Sequence, residues 1–499
     1  VHGLLIVVKS ARLSIATATS LRGLVARARA AGKRVVVHLP NGGGTKETYV
    51  AAGADEVLLG PQAELAPVGI LATTPYVRTA LDRLGLVPEV HARGRYKTAA
   101  EPFERASMSE AQREQLEAVL DRLHEVLVRA IADGRKVAEA RARAMVDQAP
   151  YVGEKAVEAG LVDALAYEDE LAKRLSSDGR PVSVRPSHRY LGSRRALRSR
   201  ALQPLAVIAV IRVHGAIAGA SGLPFPAMAI DEKIISVVRL ARANPLVRGV
   251  ILHIDSPGGS ALASDRIHHE LVRLAAEKPL VACMGSVAAS GGYYLAAAAH
   301  EIVAQPTTIT GSIGVISARL VIEPCLARLG IVTEVLQRGA HARLLDPTVA
   351  LNEDSKRALD REIEQVYGAF LRVVARGRNR SVDEIEPLAQ GRVWTGADAH
   401  ARGLVDRLGG LEQALEALRP RIGRGADRLR VVVLRAPRKA VPLLDRPRDR
   451  AVAAAFVAFH SWTRPLGIDP SLLAFMNERV LTWSDIGVYL RESVGEVWV

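Results

Sequence analysis

Two stretches of this sequence, "KRVVVHLPNGGGTKETYVAAGADEVLLGP" from Lys33 and "KPLVACMGSVAASGGYYLAAAAHEIVAQP" from Lys278, stand in one register 245 residues apart. At that offset Lys33 meets Lys278, Tyr49 meets Tyr294, Glu56 meets Glu301 and Pro61 meets Pro306. The offset persists downstream, where "HARGRYKTAAEP" from His91 overlies "LQRGAHARLLDP" from Leu336. After a small gap, "YVGEKAVEAGLVD" matches "WTGADAHARGLVD". Chance does not hold one register through so many Gly and Pro positions, so the chain is a duplicated domain. Whatever fold one copy takes, the other takes too.

The second copy reads completely. "PLAVIAVIRVHGAI" is a β-branched apolar run of the kind buried in a sheet. A helix pattern "DEKIISVVRLARAN" follows, then strand "VRGVILHID", turn "SPGG", helix "SALASDRIHHELVRLAAE", strand "PLVACM" and a helix after Ser290. Strands alternating with helices predict parallel βαβ units and an α/β fold. The first copy opens at the strand matching "VRGVILHID", so its N-terminal part is expected to be missing. The expected organisation is a first copy over 1–172, a basic linker over 173–203, a second copy over 204–420 and an extension over 421–499. Within that extension "LRVVVLRAP" suggests a short strand, and the stretch from Ala451 to Val499 suggests amphipathic helices carrying Trp462 and Trp483.

Composition narrows the function class. The chain has 499 residues, 49% of them apolar, and a formal charge of +14. Much of the excess charge is local to Lys173–Arg200, which has Pro, Ser and Gly breakers and almost no acid. No aromatic platform accompanies it, which argues against nucleic-acid binding. Contact with anionic lipid headgroups is the secondary reading. Two cysteines, Cys283 and Cys325, make neither a disulfide framework nor a metal cluster and read as buried thiols. No run reaches the roughly 18–20 apolar residues of a membrane span, and no signal peptide opens the sequence.

Ligands of open α/β sheets gather at the C-terminal ends of strands. Two such ends stand out: "HIDSPGGS", with Gly258-Gly259, and the segment around Ser290-Gly291-Gly292. Paired glycines can turn backbone N–H groups toward a developing oxyanion. The plain alternatives are an ordinary turn with Ser260 as N-cap and a Ser290 that merely caps its helix. As a nucleophile Ser290 needs a base. His253, His268, His269, His300 and His341 are available; His268 and His269 read as solvated, His300 as structural, and no carboxylate stands at an informative spacing from His341. Lysine is the other choice. Lys97, in "GRYKTAAEPF", follows a strand among small residues, and its counterpart in the second copy is Ala342. The counterpart of Ser290 is Thr45. Each copy holds half of a Ser/Lys pair, unless Lys97 is an ordinary surface lysine.

"DSPGGS", "S-x-A-A-S-G-G-Y", "TGSIGV" and "YK-T-A-x-E-P-F", in that set, resemble the long, duplicated form of the bacterial signal peptide peptidase A family, also called protease IV. The likeness runs from Val1 to about Leu418. It implies two tandem domains of the Clp-protease/crotonase fold and a Ser/Lys dyad. Carried over by motif, Ser290 is the nucleophile, Lys97 the general base, Gly259 and Gly291 the oxyanion donors, and Ser312 the hydroxyl that orients the lysine. The family has an N-terminal membrane anchor, which is not seen here. The resemblance further implies a membrane-associated enzyme on the periplasmic or another extracytoplasmic face. It also implies a homo-oligomer, with a tetramer as the expected size, and peptide substrates such as signal-peptide remnants. No metal, nucleotide or other cofactor is needed for that chemistry.

A lysine free in water titrates near about 10.4, whereas a base useful near neutrality needs about 7–8. Burial would have to bias against the charged form by about 4 kcal/mol. Two other functions are compatible with the fold: a crotonase-type acyl-CoA enzyme, and a non-catalytic scaffold left after decay of half of each site. Neither would make Ser290 reactive toward a serine-directed probe.

Overall fold

The computed structural model describes residues 3–9, 13–176, 182–190, 206–219, 228–423, 425–426, 429–436 and 482–483. The first half builds a parallel sheet in the order Gly3–Val7, Arg34–Leu39, Glu56–Leu59, Ala164–Leu165. The second half repeats that order with Val247–Ser256, Leu280–Ala289, Glu301–Ala304 and Arg407–Leu408. It extends further on the other side, where Val207–His214 lies beside Val247–Ser256 and Arg430–Val433 lies beside Val207–His214. The short strand expected from "LRVVVLRAP" is thus present, at the edge of the second sheet.

The central strands, Arg34–Leu39, Glu56–Leu59, Val207–His214, Val247–Ser256, Leu280–Ala289 and Glu301–Ala304, are largely buried, as parallel strands between helices must be, while the edge strands are exposed or half-buried. Val250, Leu252 and Ile254 face one core with Ile267, Leu271, Tyr367 and Phe370. Ile251, on the alternate side, meets Val281, Cys283 and the Leu411–Ile422 helix through Ala414 and Leu418. Each fully buried side chain of this size contributes roughly 1.5–3 kcal/mol. The first half divides its strand in the same way, with Val35 and Val37 in one cluster and Val36 in another.

Shared struts expose the duplication. Arg135 pairs with Asp163, whose carboxylate accepts the N–H of Val57 at 2.7 Å. Arg378 pairs with Asp406, whose carboxylate accepts the N–H of Ile302 at 2.7 Å. Asp55 accepts the N–H of Val35 at 2.8 Å, and His300, its counterpart, accepts that of Leu280 through Nδ1 at 3.1 Å.

The halves join through one ladder. Val87–Arg93 of the first half pairs antiparallel with Val315–Val321 of the second, from Val87↔Val321 to Arg93↔Val315. The ladder ends beside Lys97 on one strand and Ser312 on the other. Farther along the same sheet, Thr482–Trp483 runs antiparallel between Gly259–Ser260 and Ile316. Trp483 is therefore on a strand and not on the helix expected for it; the remainder of Ala451–Val499 lies outside the described residues.

Two other expectations need correction. Cys325 is not buried, because its helix, Glu323–Arg328, is an exposed single turn or two with no core face; only Cys283 is buried. His268 is not solvated, because its ring packs on Tyr294 with centroids 5.0 Å apart. Its neighbour His269 is exposed. Among the described residues no helix is long and apolar enough to cross a membrane.

Candidate active site

The strand Leu280–Ala289 delivers Ser290 into a sharp strand-to-helix turn that starts the helix Gly291–Ala296. Ser290 adopts φ 53°, ψ −119°, a region nearly reserved for glycine, at a cost of about 1–3 kcal/mol. It occupies the N-cap position, yet its hydroxyl makes no cap hydrogen bond. Its N–H is held by Gly311 O at 2.8 Å. The plain capping role is thus not what the side chain does.

Lys97 arrives from the other half. It sits in the turn after Val87–Arg93, with its N–H on Gly94 O at 3.0 Å. Tyr96 N–H reaches across to Gln390 O at 2.8 Å. The approach is tight: a Cβ on Gly391 would stand 2.6 Å from the backbone N of Lys97, so no side chain fits there. Lys97 is 5% exposed, Ser290 0% and Ser312 1%, which removes the surface-lysine reading.

The three side chains meet. Lys97 Nζ lies 3.2 Å from Ser290 Oγ, 2.9 Å from Ser312 Oγ and 3.1 Å from the Ser312 carbonyl oxygen. Ser312 is itself at φ 52° and is fixed by its N–H on Arg392 O at 2.7 Å. A neutral amine has two N–H donors and one lone pair. In a neutral Lys97 the two Ser312 oxygens would match the donors and the lone pair would be available to the Ser290 hydroxyl.

The two glycine turns stand side by side. A Cβ on Gly291 would lie 2.5 Å from Ser264 Oγ and 3.3 Å from Gly258 Cα. Gly259 has φ 145°, and its Cβ would fall 2.1 Å from Ile217 O. Ser260 caps the Ala261–Glu277 helix by accepting the Ala263 N–H at 3.3 Å, as the plain reading of that motif has it.

The histidines go elsewhere. His253 Nδ1 lies 2.8 Å from His214 Nε2, His300 is tied to Leu280, and His341 is exposed. Burial, then the neighbouring His253 and Arg212, pushes the His214 ring down to about 3. Burial beside Arg212 pushes His253 down to about 4, and burial likewise lowers His268 to about 4.

The first half's equivalent place is closed. Thr45 is at the start of the Thr45–Ala51 helix and donates its hydroxyl to Gly69 O at 2.9 Å. Glu47, at the position of Gly292, folds back to accept the Gly44 N–H at 3.0 Å. Pro67 stands where the second half has Ser312, and Ala342 where the first has Lys97. One residue that sequence patterns did not single out also belongs to this neighbourhood: Gln115, 1% exposed on the Glu110–Arg135 helix, hydrogen-bonded to both flanks of Lys97.

Known proteins resemble this chain over both of its halves. A family model described as Peptidase family S49 matches residues 27–180 and 272–423, and one described as Clp protease matches residues 228–309. The chain is 35% identical over 383 residues to "Serine protease SPPA, chloroplastic" of Arabidopsis thaliana, covering 74% of this chain and 56% of that protein. It is 34% identical over 376 residues to "Protease 4" of Salmonella typhi, covering 74% and 60%. It is 30% identical over 416 residues to "Protease 4" of Haemophilus influenzae, covering 79% and 65%. The chain thus spans roughly three-fifths of the length of these relatives. With both halves matched by one family model, and its duplication written in register, strand order and struts alike, the chain belongs to peptidase family S49.

Proposed function

We propose that the chain is a serine endopeptidase in which Ser290 is the nucleophile and neutral Lys97 the general base. The observation that carries this is the buried 3.2 Å contact between Lys97 Nζ and Ser290 Oγ. Lys97 takes the hydroxyl proton as Oγ attacks the scissile carbonyl carbon. The resulting oxyanion is received by the N–H groups of Gly259 and Gly291, and loss of one such donor typically costs about 10²–10³ in rate. The Lys97 ammonium then protonates the leaving amine, and the acyl-enzyme remains. Water, deprotonated by the same lysine, releases the second product. Ser312 holds the amine in line through both of its oxygens.

The substrates of this reading are extended apolar peptides, signal-peptide remnants among them. Support comes from the edge formed by Gly259–Ser260 and Ile316, which accepts the extended segment Thr482–Trp483 by backbone pairing. A substrate strand using that edge would gain affinity from its main chain. A serine-directed fluorophosphonate tests the reading: the full chain is labelled at Ser290 and the Ser290→Ala variant is not. An unlabelled Ser290 in folded protein overturns it, in favour of a scaffold or an acyl-CoA enzyme.

The reading includes a ring of identical copies, a tetramer by resemblance. Its support is a mismatch between the halves. Val87–Arg93 pairs with Val315–Val321, but their counterparts, 332–338 and 70–76, carry no strand pairing. These unpaired stretches expose Leu71, Val332 and Leu336, at 79, 86 and 96%. Pairing 332–338 of one copy with 70–76 of the next reproduces the internal ladder head to tail, and such an interface makes a ring where its rotation closes. Pro88 has no N–H and pairs with Leu320, so that pair and Ala318↔Val90 are of the non-hydrogen-bonded kind. The matching contact between copies is Thr73 with Val335. Cysteines at these two positions, with Cys325→Ser, should cross-link chain to chain; a chain that stays monomeric by light scattering overturns the ring. Membrane association on an extracytoplasmic face completes the reading, supported by the basic character of Lys173–Arg200. Co-sedimentation with anionic vesicles that is absent at low salt would remove it.

A further inference from the structure

We infer that Gln115 is a positioning residue for Lys97, and that its side-chain amide fixes the lysine in line with Ser290. This rests on the Ser/Lys reading above.

Gln115 lies one turn into the long helix Glu110–Arg135, on the face that carries Leu116, Val119 and Leu123 into the interior. A glutamine there gives up hydration, so it must have partners. It has three. Nε2 donates to Tyr96 O at 3.1 Å and to Thr98 Oγ1 at 2.8 Å, which are the residues on either side of Lys97. Oε1 accepts the N–H of Val393 at 3.4 Å. Val393 belongs to the second half, on the strand Val393–Thr395, and pairs with Gly311. Gly311 in turn receives the Ser290 N–H and precedes Ser312. One amide therefore ties the lysine-bearing turn to the ladder that carries the serine and the lysine's acceptors.

The duplication supplies a control. The helix Glu353–Arg378 is the counterpart of Glu110–Arg135, with N-caps Asn352 and Ser109 in matching places. In that register Gln115 corresponds to Ala358, just as Lys97 corresponds to Ala342. Gln112, one turn earlier, is also buried and bonds the Tyr76 hydroxyl, but it does not bracket Lys97. The amide at Gln115 thus stands in the half that has the lysine and is missing from the half that lacks it.

The chemistry needs such a strap. A lysine has four rotatable bonds, and a small displacement of its backbone moves Nζ out of line. A misplacement near 1 Å costs on the order of 10²-fold in rate.

The test uses the full chain. Gln115→Met keeps the volume and removes all three hydrogen bonds; Gln112→Met is the matched control for a buried amide. The expected result for Gln115→Met is a fall in kcat, and in the rate of Ser290 acylation by a fluorophosphonate, of about 10²-fold. KM for an apolar peptide should stay within about twofold, and Tm should fall no further than in Gln112→Met. The control should keep its kcat. A kcat within twofold of the parent overturns the inference. So does a loss that appears equally in Gln112→Met, or that falls on KM, because a purely structural amide would give that pattern. Should Gln115→Met not fold, Thr98→Val removes one acceptor at constant shape. A several-fold drop in acylation then supports the strap, and an unchanged rate overturns it. Failure of the unmodified chain to label at Ser290 takes down the proposed function itself. A labelled parent with an equally labelled Gln115→Met takes down only the strap.

Discussion

The two halves keep the same struts and differ at the ends of the same strands. Arg135–Asp163 and Arg378–Asp406 clamp equivalent backbone N–H groups, and both sheets run in one order. Where the second half has Ser290, Gly292 and Ser312, the first has Thr45, Glu47 and Pro67. Where the first has Lys97 and Gln115, the second has Ala342 and Ala358. Interior residues answer to packing, which both copies share. The residues that differ lie around the Ser290–Lys97 contact, and in the proposed reading a composite site needs them only once.

The sharpest way to break this asymmetry is to remove either member of the pair. Ser290→Ala and Lys97→Ala should each abolish peptide hydrolysis, with kcat down by at least about 10³-fold in folded protein. Near-normal turnover in either would end the comparison. Mixing the two variants should restore nothing, because the contact lies within one chain; regained activity in mixed oligomers would mean that Lys97 serves a neighbouring chain. The acylation rate should rise with pH as Lys97 loses its proton, through an apparent value well below the about 10.4 of a free lysine. A rise only near pH 10 would mean that the lysine is water-exposed in solution.

A smaller difference concerns acid. His214, His253 and His268, all in the second half, are held neutral by burial, at about 3, 4 and 4. Unfolding frees each ring to take a proton near 6.5, so the unfolded state binds more protons between pH 6.5 and about 4. Stability is full above 6.5 and declines as pH falls through that window, by up to about 2 kcal/mol per ring at pH 5. Denaturant melts at pH 7 and pH 5 measure this, and His268→Gln should blunt the decline. An acid sensitivity unchanged by that substitution would remove His268 from the account. The smallest expected effect is at the closed site. Thr45→Val loses only the bond to Gly69 O, so turnover should stay within about twofold. A loss as deep as that of Ser290→Ala would reverse the assignment of which site is live.

Much of this was legible without coordinates, because a repeat compares a chain with itself. The 245-residue register paired Ser290 with Thr45 and Lys97 with Ala342, and so pointed to the two side chains that the structure brings to 3.2 Å. Glycines and motif serines carried Gly259, Gly291 and Ser312. Gln115 was not legible, since a glutamine in a charged helix reads as solvated until the helix face is known. His268 misled for the same reason: its neighbours in sequence are charged, but its neighbour in space is Tyr294. Cys325 misled in the other direction, because an apolar-looking segment need not reach a core. The strand at Thr482–Trp483 depends on pairing with residues more than 150 positions away, and no local pattern encodes that.

The ladder between Val87–Arg93 and Val315–Val321 has a consequence for how activity depends on dilution. A base supplied by another molecule is lost when the partners separate. In the proposed reading the base, Lys97, is tethered to its nucleophile, Ser290, and covalent connection typically keeps such partners at millimolar effective concentration. Specific activity toward a short peptide should therefore stay level on dilution, including past the point where the proposed ring would come apart. Dilution would cost only what such a ring, if formed, adds for long substrates.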